Sequence, residues 1–448
     1  MILITTLVLA VTLQQPAPPP PLPPDSTVRA VLLPRVASFP DTGKHGIGIV
    51  VGLLDATGTR RIIAAGVDSA GVFEIGSITK VFTTSLLQDM VDRGEVHLGD
   101  AVSQYLPKSV KVPARGEHEI TLLDLATQSS GLPRMPTNFT PRDSLNPYAD
   151  YSVQQMYTFL SGYQLTRDPG AEYEYSNLGM GLLGHALSLK GRTSYEELLR
   201  RRILTPLGMR QTAITLTPAM RAKLAPGHDA EGRVVPNWDL PTLAGAGALR
   251  STVNDMLTFV AANLDSAATP LSPTLRRTHG ERHATNNPSL KVGLGWHILA
   301  RPVGNIVWHN GGTGGYRTFT GFDPVRRLGV VVLSNLDASV DDIGYHLLDE
   351  TFPLRPIPTR RMEVAVDSSV LVRYVGEYEL APTFHVVVTR EAARLFVQAT
   401  GQPRFPIFAE SDSTFFLRVV DAQITFSRDG MTLHQNGQNS PGRKIREN

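Results

Sequence analysis

The chain has 448 residues, a formal net charge of +2, and ordinary apolar and charged fractions of 42% and 19%. This composition fits a large globular domain with a smaller second one, and the near-neutral charge without a basic stripe argues against a nucleic-acid partner. The absence of cysteine excludes thiol catalysis, disulfide bonds and cysteine-ligated metals.

The N-terminal segment has the composition of an export signal. Residues 2–13 are an unbroken run of apolar residues and threonines, too short to cross a bilayer and suited to the core of a signal peptide. The proline-rich tract Pro16–Pro24 then predicts an extended spacer. We therefore expect residues 1–24 to be signal and spacer, and the protein to be periplasmic or secreted. No lysine or arginine precedes the apolar run, so an uncleaved N-terminal membrane anchor is the alternative.

Two strands are predicted next, at residues 46–54 and 60–65, and a helix follows that carries a serine and a lysine close together. Ser77 and Lys80 are three residues apart, which places them on one face of a helix. A neutral lysine amine in that position can take the serine proton and activate the hydroxyl as a nucleophile. Alone, the pair also suits a helix cap followed by a surface lysine, but Lys80 lies beside an apolar stripe, where a surface lysine is not expected.

Helices dominate the prediction up to residue 264 and strands return after residue 293. The helices are predicted at residues 121–128, 194–203 and 252–264. The strands are predicted at residues 294–299, 305–310, 317–322 and 328–334, before a last helix at 339–352. The most economical fold is a sheet built from both ends of the domain, with helices packed on it and a helical region inserted.

The C-terminal part changes character after residue 352. Residues 353–361 begin with a proline-rich stretch that predicts a linker. Short strands in close succession are then predicted at residues 375–380, 384–389, 394–398, 414–419, 423–427 and 432–435. Such a series indicates a small antiparallel barrel or sandwich, and it contains no cluster of nucleophile, base and glycines.

Two further motifs contain groups that suit acyl transfer. Tyr175 offers a phenol that can relay a proton, and Asn177 offers an amide with donor and acceptor. By themselves they also suit a buried tyrosine and a helix-capping asparagine. The run from His309 to Gly312 ends a predicted strand in glycines, which lets a substrate approach the backbone and its N–H groups. The alternative is a flexible hairpin with His309 on its rim.

The order of these motifs resembles that of the penicillin-recognising serine hydrolases. Over about residues 40–352 the chain is similar to the branch of class C β-lactamases, D-alanyl-D-alanine carboxypeptidases, D-aminopeptidases and family VIII carboxylesterases. The resemblance implies an α/β (α+β) β-lactamase/transpeptidase-like domain over residues 25–352, with an antiparallel sheet flanked by helices and an inserted helical region. It also implies a small lipocalin-like β-barrel domain over residues 362–448.

The same resemblance implies roles for individual residues. The catalytic groups would be Ser77, Lys80 and Tyr175, and the substrate-binding or oxyanion groups would be Asn177, His309, Gly311 and Gly312. Lys80 and Tyr175 both need pKa values far below those of the free side chains to act as bases near neutral pH, and the sequence leaves open which acts first. No cofactor and no metal are expected. The partner would be a small-molecule or peptide substrate, and a homo-oligomer remains open.

One departure from the family pattern bears on the substrate. The β-lactamases and carboxypeptidases usually carry Lys-Thr-Gly where this chain has His309-Asn310-Gly311. A histidine is largely neutral near pH 7, so the carboxylate of a penicillin loses the expected cation. We therefore expect a serine hydrolase acting on esters or D-amino-acid amides. The alternatives are a class C-like β-lactamase, a penicillin-binding receptor that acylates without turnover, and a non-catalytic scaffold.

Overall fold

A computed structural model describes residues 22–37, 39, 46–266, 269–357, 363–382, 384–402, 404–417, 422–435 and 438–446. Residues 1–21 of the expected signal and spacer, and residues 358–361 of the expected linker, lie outside the described residues. The chain divides between Arg355 and Pro356 into two compact units. Within the described ranges no helix is long and apolar enough to cross a bilayer.

The first unit is organised around one antiparallel sheet of eight strands. These strands are β1 (Ile49–Leu54), β2 (Arg60–Ala65), β3 (His283–Ala284), β4 (Leu290–Val292), β5 (His297–Leu299), β6 (Ile306–Gly312), β7 (Arg317–Asp323) and β8 (Leu328–Ser334). Their spatial order in the sheet is β2-β1-β8-β7-β6-β5-β4-β3. Val51 of β1 lies between Ile63 of β2 and Val332 of β8. The sheet is therefore built from both ends of the domain, which confirms the prediction.

Helices pack on both faces of this sheet. The helices of eight or more residues are α1 (Asp25–Ala37), α2 (Thr79–Asp92), α3 (Val153–Gly162), α4 (Asn177–Gly191), α5 (Val253–Asn263) and α6 (Asp341–Leu348). The buried strand β8 contributes to both faces, because alternate side chains point to opposite sides. Val331 and Leu333 join the larger core with α2, α4 and α5, whereas Val330 and Val332 pack with α1 and α6. The result is a helix–sheet–helix arrangement with the inserted helical region on one face.

Several predicted elements have different bounds in the structure. The helix predicted at 121–128 spans only the five residues Leu122–Ala126. Thr121 is its N-cap and forms a reciprocal capping box with Asp124. The helix predicted at 194–203 ends at Leu199 and continues as a π-helical turn. The remaining short helices and turns are Gly76–Ile78, Val102–Tyr105, Tyr195–Leu199, Arg200–Leu204, Thr205–Leu207, Pro218–Arg221, Ala244–Gly247 and Ser272–Arg277.

Three pairs of two-residue strands lie outside the main sheet of the first unit. They are Phe73–Glu74 with Arg250–Ser251, Ala114–Arg115 with His118–Glu119, and Gly227–His228 with Val234–Val235.

The second unit is a closed antiparallel barrel of eight strands, preceded by the short helix Ser368–Arg373. Its strands are β9 (Gly376–Ala381), β10 (Phe384–Glu391), β11 (Arg394–Ala399), β12 (Arg404–Ala409), β13 (Thr414–Phe416), β14 (Ala422–Phe426), β15 (Gly430–Gln435) and β16 (Gln438–Arg446). The predicted small barrel is confirmed. The sequence did not predict β12 and β16, because Pro406 and Pro441 interrupt patterns that otherwise suit strands.

Candidate active site

Ser77 lies in a tight turn at the N-terminal end of α2. Residues Gly76–Ile78 form a 3₁₀ turn that runs directly into the helix, so Ser77 precedes the α-helix proper. Gly76 has a left-handed φ of +50°, and a Cβ atom there would lie 2.7 Å from the backbone nitrogen of Gly312. Only a glycine therefore lets this turn approach the end of β6 so closely.

Lys80 is completely buried and its amine makes three polar contacts. Nζ lies 2.9 Å from Ser77 Oγ, and it donates to Asn177 Oδ1 at 2.9 Å and to the backbone oxygen of Ala246 at 2.7 Å. Burial lowers the pKa of Lys80 well below its ordinary value, and the nearby positive charge of Arg134 lowers it further. The structure thus brings the hydroxyl and the amine together as the spacing predicts.

The ring of Tyr175 covers this pair. Its centroid is 4.8 Å from Lys80 Nζ, and the guanidinium carbon of Arg134 lies 5.1 Å from the same centroid. Burial raises the pKa of the Tyr175 phenol above its ordinary value, although a hydrogen bond with Ser77 and the charge of Arg134 oppose the rise. The two candidate bases therefore respond to burial in opposite directions, because the amine loses a charge on deprotonation and the phenol gains one.

Asn177 is held at the start of α4 with its side chain directed at Lys80. Its Nδ2 donates to the hydroxyl of Tyr148 at 3.2 Å, which leaves Oδ1 to accept from the lysine. The helix cap is the preceding Ser176, whose hydroxyl accepts from the backbone N–H of Gly179. The alternative of a capping asparagine is therefore wrong, and the amide faces the site.

His309 lies on β6 and is almost fully buried, so it is not the rim histidine of the alternative interpretation. Its Nδ1 is 2.6 Å from the backbone oxygen of Asn310, which can only accept, so Nδ1 carries the proton. Burial lowers the pKa of His309 well below its ordinary value, and the charges of His297 and Lys80 contribute in the same direction. The side chain at position 309 of β6 is therefore a neutral imidazole near pH 7 and not a cation.

The glycines that end β6 pack directly on the Gly76–Ile78 turn that carries Ser77. A Cβ atom at Gly311 would lie 2.0 Å from the backbone oxygen of Ile75 and 2.4 Å from Thr318 Oγ1. Gly312 is in register with Arg317 of β7 and lies against Gly76. The expected oxyanion residue Gly312 is thus adjacent to the turn that carries Ser77.

This packing predicts a specific cost for a methyl group. We expect Gly311→Ala to lower the free energy of unfolding by about 1–3 kcal/mol, since backbone atoms of Ile75 would have to move, and to lower activity because Ser77 moves with them. The control is Gly99→Ala, since a Cβ atom at Gly99 meets nothing within 4 Å. Urea unfolding of both variants measures the difference, and equal midpoints would contradict the prediction.

Sequence reasoning missed several residues that surround the site. His297 lies beside His309 with ring centroids 5.0 Å apart, its Nε2 is 3.0 Å from the Tyr173 hydroxyl, and burial lowers its pKa to about 4. An aromatic wall is formed by Phe139, Tyr148 and Trp238, with centroid distances of 5.1 and 5.2 Å between neighbours. The three residues of the aromatic wall come from loops, whose approach to the site no local pattern indicates, whereas His297 is on β5.

The support beneath the site includes a buried ion pair that sequence analysis also missed. Arg250 contacts Glu74 at 3.2 Å, three residues before Ser77, and both side chains are nearly inaccessible to solvent. The pair joins two short strands, Phe73–Glu74 before the Gly76–Ile78 turn and Arg250–Ser251 before α5. Within the described ranges no group of three or more histidine, aspartate or glutamate side chains is placed to hold a metal ion.

A buried amine beside a hydroxyl, under a phenol and next to a glycine-ended strand, is the arrangement of a serine hydrolase that forms an acyl-enzyme. The family model described as Beta-lactamase matches residues 45–349, and a domain of unknown function, DUF3471, matches residues 360–437. The D-alanyl-D-alanine-carboxypeptidase/endopeptidase AmpH of Escherichia coli (strain K12) is 30% identical over 275 residues, which cover 58% of this chain and 70% of that protein.

Other relatives extend the likeness. Penicillin-binding protein 4* of Bacillus subtilis (strain 168) is 27% identical over 392 residues, covering 80% of this chain and 82% of that protein. A solved Beta-lactamase/D-alanine Carboxypeptidase from Yersinia pestis, complexed with citrate, superposes with a TM-score of 0.60 at 25% identity, covering 73% of this chain and 96% of that chain. The chain belongs to the Beta-lactamase family. It is a serine hydrolase that acts on amide or ester bonds through an acyl-serine.

Proposed function

We propose that Ser77 is the nucleophile and Lys80 its general base, and that the preferred substrates are esters or D-amino-acid amides. The observation that carries the assignment is the pair of carbonyl oxygens on the lysine amine, from Asn177 and Ala246. A neutral amine has two N–H groups and one lone pair. Because both oxygens can only accept, they use both N–H groups, and the lone pair faces the hydroxyl hydrogen of Ser77.

The reaction follows from this arrangement. Lys80 takes the proton of Ser77 as its oxygen attacks the acyl carbon, and the backbone N–H groups of Ser77 and Gly312 stabilise the developing oxyanion. Tyr175, hydrogen-bonded to Ser77, gives its proton to the departing oxygen or nitrogen and regains one from Lys80. Water then attacks the acyl-serine as the neutral lysine accepts one of its protons. Lys80 returns that proton to the Ser77 oxygen as the bond between this oxygen and the acyl carbon breaks, and the acid product leaves.

The substrate preference rests on His309. A buried, neutral imidazole replaces the usual lysine, and its low pKa keeps it uncharged across the physiological range. Efficient β-lactam hydrolysis would need another cation for the carboxylate of the drug. The neighbouring aromatic wall of Phe139, Tyr148 and Trp238 offers an apolar surface for an acyl group or side chain.

A panel of three substrates tests the proposed preference for esters and D-amino-acid amides over β-lactams. Purified protein is assayed against p-nitrophenyl butyrate, D-alanine p-nitroanilide and nitrocefin under steady-state and burst conditions. We expect turnover of the ester or the D-amino-acid amide at a kcat/KM above that of nitrocefin. Efficient nitrocefin turnover without either activity would identify a β-lactamase, and a stoichiometric nitrocefin burst without turnover would identify a penicillin-binding receptor.

We also propose that the protein is exported, and that residues 25–352 and 362–448 are separate domains joined by residues 353–361. The support for export is the apolar run of residues 2–13 with the proline tract that follows. N-terminal sequencing of protein recovered from cell fractions tests this. A cleaved N-terminus in the periplasm or medium is expected, whereas an intact N-terminus in the membrane fraction would favour the anchor.

A further inference from the structure

The turn Ala244–Gly247 carries one of the two carbonyl oxygens that accept from the amine of Lys80, and a buried threonine of α2 holds this turn. Ala246 provides that oxygen, and the preceding Gly245 accepts from Thr83 Oγ1 at 2.7 Å. Thr83 has no exposed surface and lies three residues after Lys80. Both side chains therefore leave the same face of α2 and contact adjacent peptide groups of the turn.

Tyr195 orients the hydroxyl of Thr83. The Tyr195 oxygen is 2.6 Å from Thr83 Oγ1, and burial raises the pKa of Tyr195 above its ordinary value, so the phenol keeps its hydrogen. A threonine hydroxyl has one hydrogen, and the Gly245 oxygen at 2.7 Å is closer to Thr83 Oγ1 than the Thr79 oxygen at 3.2 Å. Tyr195 therefore donates to Thr83, and Thr83 donates to Gly245.

The turn packs too closely on its neighbours to move without breaking these contacts. A Cβ atom at Gly245 would lie 3.0 Å from the Cα atom of Gly184 in α4 and 3.2 Å from Thr83 Oγ1. The chain just after the turn is tied to α2 as well, because Thr79 Oγ1 accepts from the backbone N–H of Leu249 at 3.1 Å. The turn is thus held between α2 and α4.

We infer that Thr83, with Tyr195 behind it, is a positioning residue for the general base. It holds the Ala246 carbonyl in place, and this carbonyl keeps the lone pair of Lys80 directed at Ser77. The inference rests on the proposed function, in which the lysine takes the serine proton. A neutral amine has two N–H groups, and both need their acceptors in place for the lone pair to face the hydroxyl. A small shift of the turn should therefore slow proton transfer without removing the base.

Removing only the hydroxyl tests this role, since valine has nearly the shape of threonine. In Thr83→Val we expect the plateau of kcat/KM for p-nitrophenyl butyrate to fall about 10- to 100-fold, because the base is misplaced. The midpoint of the rise of kcat/KM with pH should move down by about 0.5–1 pH unit. The reason is that a protonated amine loses more than a neutral one when a carbonyl acceptor moves away. Thr83→Ser, which keeps the hydroxyl, should restore most of both values.

The matched control is Thr84→Val. Thr84 is also fully buried on α2, and its hydroxyl donates to a backbone oxygen outside the turn, that of Leu294, at 2.8 Å. This change should cost stability and leave the midpoint at its wild-type pH. All of these variants retain the ionisable groups that act on Lys80 from other elements, which are Arg134, Tyr175, His297 and His309.

Equal pH profiles for Thr83→Val and Thr84→Val would overturn the inference, as would a Thr83→Ser variant as impaired as Thr83→Val. If Thr83→Val does not fold, Tyr195→Phe decides the matter. It frees the Thr83 hydrogen to turn toward the Thr79 oxygen, so a smaller downward shift of the midpoint is expected, and a wild-type profile would count against the inference. Failure of the proposed function gives a different result, because Lys80→Met would then keep its activity.

Discussion

Replacing Ser77 by alanine is expected to reduce turnover of every substrate by at least about 10⁴-fold and to abolish covalent labelling. The hydroxyl oxygen of Ser77 is the only protein atom in the proposed mechanism that bonds to the acyl carbon, and loss of a serine nucleophile has effects of this size or larger. Steady-state kinetics with p-nitrophenyl butyrate and intact-mass measurement after an acylating inhibitor provide two independent readouts.

The control for this variant is Ser85→Ala. Ser85 lies two turns further along α2 and is buried, and its hydroxyl donates to the backbone oxygen of Val81 at 2.6 Å. Its loss should leave both turnover and labelling in place. Labelling that persisted in Ser77→Ala would show that another residue is the nucleophile, and it would remove the basis of the proposed mechanism.

Replacing Lys80 by methionine is expected to lower kcat by about 10²- to 10⁴-fold, the usual contribution of a positioned general base. Methionine keeps an unbranched side chain out to the Cε atom and removes the amine. In the wild-type protein kcat/KM should rise with pH as Lys80 loses its proton, with a midpoint well below the pKa of a free lysine. The rise should be absent in the variant. Lys190→Met, at the exposed end of α4, is the control.

The same lysine links stability to pH. Its pKa is lower in the folded than in the unfolded protein, so between these two values the unfolded chain binds one more proton than the folded one. The free energy of unfolding should therefore increase with pH over that window, by up to about 1.4 kcal/mol per pH unit. It should fall as the pH drops through the folded pKa. Urea titrations of wild type and Lys80→Met test this, and identical slopes would contradict a buried lysine of lowered pKa.

Local spacing was sufficient to predict the centre of the site. Ser77 and Lys80 are related by one helical turn, so their proximity follows from the helix alone. Tyr175 and Asn177 required the additional inference that separate motifs converge, which the resemblance supplied. The bases could not be ranked from sequence, because the ranking depends on how deeply the amine and the phenol are buried in the folded protein.

The positions of Arg134, His297 and Trp238 near the site could not be predicted from the sequence. Arg134 follows Pro133 in a loop, and its approach to Tyr175 depends on hydrogen bonds to the start of a helix more than 40 residues later. His297 is a single histidine on a three-residue strand.

The helix α1 was missed because Pro34 lies inside it and because the proline tract before it suggested a continuing spacer.

The pairing of β1 with β8 has a consequence for how the protein is made. Residues 49–54 leave the ribosome long before residues 328–334. Until β8 is synthesised, the hairpin of β1 and β2 therefore has the backbone groups on the β8 side of β1 unpaired. A nascent chain arrested between these points presents that edge to chaperones and proteases, and one arrested before residue 306 also lacks the strand β6 that completes the site. The C-terminal barrel, with most of its strands joined by short turns, can close soon after its last strand is synthesised.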